Sequence, residues 1–154
     1  MYCIYSGKEY DKLDMNIEHI IPISLGGCNQ FTIYVSKQEN SVLGSQIDGL
    51  LTRQLDISME RARRGVIGHS GTLAECRVPS ELEDGSPIIS TFTNEGLKLF
   101  DPKQKKIVSS EGKNRIQMRT SFDMDVRIKF VAKVALATGY YLFQDKFVKN
   151  ADCE

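Results

Sequence analysis

The chain has 154 residues, 41% of them hydrophobic, with 20 Lys and Arg set against 20 Asp and Glu and a sequence pI near 6.7. That length suits one domain or a small domain with an elaboration, and the even charge balance excludes a general attraction to phosphate backbones, so contact with nucleic acid has to come from local patches. No run reaches the roughly 18 apolar residues of a membrane span, Cys3, Cys28, Cys76 and Cys153 show no paired spacing, and no basic-then-apolar leader opens the chain, so a cytoplasmic protein without membrane attachment is expected.

The first informative element runs from Asn16 through Ile17, Glu18, His19, Ile20, Ile21, Pro22, Ile23, Ser24 and Leu25 to Gly26 and Gly27. Its isoleucines are β-branched and it closes on a glycine pair, which predicts a half-buried strand ending in a tight reversal. Glu18 offers a hard oxygen ligand suited to magnesium or manganese. His19 offers an imidazole able to accept a proton from water. A strand sends neighbouring side chains to opposite faces, so the two serve one site only if the backbone twists or bulges there.

After the turn formed by residues 26–30, Phe31-Thr32-Ile33-Tyr34-Val35 predicts a second strand. Ser36-Lys37-Gln38-Glu39 fits a capping box, with Ser36 as N-cap and Glu39 at the third helical position. Leu43, Ile47, Leu50 and Leu51 then repeat at helical spacing. Asn40 shares the inward face of that helix, where its amide needs a polar partner. Strand, turn, strand and helix make a ββα unit, with Glu18 and His19 on its first strand and Asn40 on its helix.

These residues resemble the HNH endonucleases of the ββα-metal fold, in the branch whose signature is a CxxC pair, an EHIIP-SLGG segment and a CxxCN pair leading into a helix. The signature here reads Cys3-Ile4-Tyr5-Ser6, then Glu18-His19-Ile20-Ile21-Pro22 through Gly27, then Ser36 to Asn40, with Gly44-Ser45-Gln46-Ile47-Asp48 following. The likeness covers residues 3 to 52. It implies that His19 is the general base, that Glu18 and Asn40 hold one divalent ion, Mg2+ or Mn2+, and that the substrate is a DNA phosphodiester. A homodimer or a targeting protein is the implied protein partner. Of the four zinc-binding positions of the branch only Cys3 keeps a thiol, the others being Ser6, Ser36 and Glu39, so no structural zinc is expected. Asn29 is the nearest candidate for the family's central asparagine, against a reading as an ordinary turn residue.

The fold class expected is α+β: a ββα-metal nuclease core over residues 1–58, then a β-rich elaboration with a C-terminal helix over 59–154. Arg53, Arg61, Arg63 and Arg64 are the candidate nucleic-acid contacts. Lys103, Lys105 and Lys106, and then Lys113, Arg115 and Arg119, form further basic groups. Residues 61–71 read as a loop that contains His69, and residues 79–87 as an acidic surface connection. Short strands over 88–92, 97–100, 106–108 and 116–118, with a turn at 111–113, read as a meander. A helix over 124–146 carries Val126, Phe130, Val134 and Tyr141 on an apolar face and Lys129 and Lys133 on another, and is expected to pack on the meander. The alternative to an active nuclease is an inactive nucleic-acid-binding or adaptor module on a decayed fold of the same type.

Overall fold

The computed structural model describes residues 1–68, 70–109 and 115–151; His69, the turn at 111–113 with Lys113, and Cys153 lie outside the described residues. The fold is α+β, and the chain divides into two units, Met1–Thr52 with the residues from Asp123 onward, and Arg53–Phe122. Residues 123–151, assigned to the elaboration by the linear reading, thus lie in the unit of the ββα segment.

In the first unit, β1 (Tyr2–Cys3) and β2 (Lys8–Glu9) form a short ribbon ahead of the antiparallel pair β3 (Met15–His19) and β4 (Thr32–Ser36). The first long strand stops at His19, earlier than its isoleucine run predicts. Pro22 cannot continue a ladder, and the chain turns through a 3-10 segment at Ile23–Leu25 into Gly26, whose φ is 87°. Gly27 is required by space: a Cβ there would lie 1.7 Å from the Ile21 carbonyl oxygen.

Ser36 ends β4 and caps α1 (Lys37–Leu43), its Oγ accepting from the Glu39 N–H at 3.1 Å, as the capping box predicts. A π-helical turn at Gly44–Asp48 follows and leads into α2 (Gly49–Arg53).

The C-terminal helix α4 (Met124–Phe143) starts at Asp123, whose carboxylate accepts from the Val126 N–H at 3.1 Å. Gln144, at φ 49°, breaks it, and α5 (Asp145–Ala151) folds back so that Phe147 lies against Gly139. Helix α4 packs on β4 and on the π-helical turn, which corrects the expectation that the meander is its seat. The reason is apolar area. Ile33 and Val35 face inward from β4, and with Cys3, Ile4, Met15 and Ile20 they form a core that Ala137, Val134 and Tyr140 of α4 complete.

In the second unit, α3 (Leu55–Arg63) precedes β5 (Cys76–Leu82), β6 (Pro87–Thr93), β7 (Gly96–Asp101), β8 (Lys106–Val108) and β9 (Ile116–Met118). These strands form an antiparallel sheet in the order β8-β7-β6-β5-β9. The loop expected over 61–71 therefore begins as helix. The connection expected over 79–87 is mostly strand, with Cys76, Val78 and Ser80 buried and Arg77, Pro79 and Glu81 exposed between them. Pro79 is tolerated inside the sheet because β9 pairs with β5 only from Ser80 to Leu82, leaving the proline paired on its β6 side alone. Among the described residues no helix is long and apolar enough to cross a membrane.

Ser36 is 1% exposed and begins the helix that carries Asn40. Ser36→Ala should therefore lower the stability of the first unit by about 0.5–2 kcal/mol, read as a reduced urea midpoint at unchanged slope.

Candidate functional site

The geometry of the site follows from the ladder between β3 and β4. Its register is continuous, with Glu18 opposite Ile33 and His19 opposite Thr32, and no bulge interrupts it. Ordinary strand alternation therefore holds, and Glu18 and His19 point to opposite faces. Glu18 is buried while His19 is partly exposed. The two are nevertheless close enough for the imidazole to act on the Glu18 carboxyl, which it favours in its charged form.

At the exposed end of β3, His19 Nε2 lies 2.8 Å from Asn29 Oδ1. An amide oxygen only accepts, so this bond assigns the proton to Nε2 and leaves the lone pair on Nδ1. Asn29 belongs to the turn whose backbone Gly27 makes possible. Read along the chain it is one turn residue among several; folded, it is the partner of the histidine. A cavity of about 220 Å3 adjoins it in sequence, lined by Ile21, Gly26, Gly27, Cys28 and Phe31.

The inward amide of Asn40 finds its partner on the first strand. Its Nδ2 donates to Asn16 Oδ1 at 2.9 Å and to the Ile17 carbonyl at 3.1 Å, tying α1 to β3 through the amide nitrogen.

Glu18 is engaged elsewhere. Its Oε1 lies 2.5 Å from Lys133 Nζ, and the same ammonium lies 2.5 Å from Asp48 Oδ2. Lys133 is 4% exposed, Glu18 7% and Asp48 8%. Burial pushes both carboxyls above their ordinary range, against the pull of the adjoining ammonium. The Tyr5 phenol is raised too, first by burial and then by the charges of Glu18 and Asp48. Sequence reading put Lys133 on a face other than the apolar one. It instead lies on the inward stripe of α4 with Val126 and Ala137, spaced seven before it and four after. Asp48 was passed over because the π-helical turn that carries it has no marker in the sequence.

These donors, as arranged, do not fit a divalent ion. Glu18 already carries a cation at 2.5 Å, and among the described residues no three His, Cys, Asp or Glu side chains converge on a metal position.

Cys3 and Ser36 meet through a hydrogen bond from the Ser36 N–H to Cys3 Sγ at 3.3 Å. Burial acts to raise this thiol, but hydrogen bonds involving Ser36 and Ser6 hold it below its ordinary value. The basic residues of α3 form a network of their own: Arg63 bonds Glu60 at 2.8 Å, Arg64 bonds the same carboxylate, and together they hold Glu60 down to about 2. Arg53 and Arg61 are also engaged.

Residues 3–56 match the family profile described as HNH endonuclease. No curated protein and no solved structure matches the chain.

Lys133→Met would leave two buried carboxylates without their counter-charge, and should cost about 3–5 kcal/mol of stability near neutral pH. Raised carboxyl pKa values mean that the folded chain binds protons more readily than the unfolded one, so stability falls as pH rises through that window. The deficit of the variant should therefore shrink on acidification. Urea melts of both proteins from acid to neutral pH check this.

Proposed function

The HNH endonuclease family is where residues 3–56 belong, and from that premise we propose that the chain hydrolyses DNA phosphodiester bonds with His19 as general base. The observation that carries this reading is the 2.8 Å bond between His19 Nε2 and Asn29 Oδ1 at the open end of β3. It holds the ring by one nitrogen and leaves the other able to take a proton. Water placed at Nδ1 would lose its proton there and attack phosphorus in line with the leaving sugar oxygen. Asn29 acts as the positioning residue.

HNH nucleases generally use a divalent metal, which when bound neutralises charge on the phosphate. Assigning one Mg2+ or Mn2+ ion to Glu18 and Asn40 requires Lys133 to leave the Glu18 carboxylate. That same ion pair favours the second reading, a nucleic-acid-binding module without catalysis on a decayed fold. One site cuts one strand, so a double-strand break would call for a second copy of the chain.

Nicking of supercoiled plasmid by the purified protein, with magnesium, manganese or chelator, separates the two readings. The wild type should nick. His19→Ala should slow cutting by about 10²–10⁴-fold while remaining folded, and Asn29→Ala should reduce the rate by less, with little change in DNA affinity. Equal rates for wild type and His19→Ala would remove His19 from the mechanism. A folded wild type that binds DNA and never cuts it would favour the binding module.

A further inference from the structure

Helix α4 is apolar on both of its faces. The inward one completes the hairpin core, while on the outward one Met124 is 60% exposed, Ile128 64%, Val131 66% and Leu142 61%. Ala135, also exposed, lies between them, and Thr138, half-buried, completes the row. These six positions follow one another by alternate steps of four and three residues, the period by which a helix presents one seam to another helix. No charged residue lies within the row. An outward helix face is ordinarily the charged one, and a helix apolar all round is ordinarily buried all round. Here the usual order is inverted, with Lys133 inside and Ile128 outside. Side chains of this size present on the order of 100 Å2 of apolar surface apiece when exposed, so the seam comes to about 500 Å2, the size at which a patch marks an interaction site. Paired on itself it buries about 1,000 Å2, enough for a specific dimer of modest affinity.

We propose that a second copy of this chain covers the outward face of α4, the two helices running antiparallel about a two-fold axis that passes between Val131 and Ala135. Such an interface is self-complementary. Val131 faces the partner's Ala135, Ile128 the partner's Thr138 and Met124 the partner's Leu142, so that at the centre a larger side chain meets a smaller one and the helices approach closely. Antiparallel axes also oppose the two helix dipoles. On one flank of the seam Asp125 and Lys129 pair with each other at 2.5 Å, and the chain as a whole has no formal net charge, so long-range repulsion between copies is absent. The seam lies outside residues 3–56 and is independent of the nuclease reading.

Sedimentation equilibrium of the purified full chain tests the interface. The wild type should pass from a 17.4 kDa monomer to a dimer as its concentration rises through the micromolar range. Val131→Asp, which puts a charge at the centre of the seam, should raise the dissociation constant at least about a hundredfold. Its urea midpoint at low concentration should match that of the wild type, because Val131 is open to solvent in the single chain. Val131→Lys combined with Ala135→Glu in one chain should keep the dimer, since antiparallel helices set the two new charges against their opposites, whereas parallel helices would set like against like. One-chain mass up to several hundred micromolar, a dimer indifferent to Val131→Asp, or loss of the dimer in the double variant would each overturn the proposal. If Val131→Asp does not fold, methyl nuclear magnetic resonance of the wild type decides. The Ile128 and Val131 methyl signals should shift with concentration while that of Ile107, 74% exposed on β8, stays fixed, and signals at 128 and 131 that do not move would overturn the seam.

Discussion

The two-residue period of β3 is the constraint from which the rest of the first unit follows. An unbroken ladder with β4 turns His19 outward and Glu18 inward. The outward residue stays accessible and takes its support from a turn side chain, Asn29. The inward one, opposite Ile33, brings a carboxylate into the interior, where it cannot remain uncompensated. Lys133 answers that charge, and Lys133 belongs to a helix more than a hundred residues further along. The C-terminal helix is therefore part of the ββα segment's interior electrostatics as well as of its apolar core.

The ion cluster is weak evidence for stability as such. Bringing three charged groups out of water costs several kcal/mol per ion, and their attraction only roughly offsets it. What the cluster does fix is position. Three elements distant in sequence, β3, the π-helical turn and α4, meet at these charges. Apolar burial by Ala137 and Tyr140 holds α4 on the hairpin, and Lys133 adds its ion pairs to Glu18 and Asp48 there.

Local features of the chain were legible where the physics is local. The Ser36 cap needs only residues 36 to 39. The strands over 88–92, 97–100, 106–108 and 116–118 are marked by β-branched and aromatic residues between turn formers, and each appears in the sheet. Pro79 and the acidic residues around it suggested a connection, because the exposed half of an alternating strand reads as a polar loop until its buried half, Cys76, Val78 and Ser80, is weighed with it. The site was legible only in part. His19 and Asn40 announce themselves by residue type and spacing, but the tie between Asp48 and Lys133 spans 85 residues. A lysine within a helix counts as solvated until its neighbours at seven before and four after are seen to be buried.

Cys3 and Ser36 show how the same unit holds together. A cap contributes about 0.5–2 kcal/mol and a hydrogen bond such as that to Cys3 about 1 kcal/mol. Ser36 supplies both of those interactions, joining β1 to the start of α1. The remainder has to come from buried area, and the shared core shows where: Cys3 and Ile4 of the N-terminal ribbon pack in one cluster with Ala137, Tyr140 and Phe147. The C-terminal helices thus cover the ribbon and tie it to the hairpin by packing. The segment that covers the ribbon also supplies Lys133, so the stability of the hairpin and the charge state of its buried carboxylates depend on the docking of one helix.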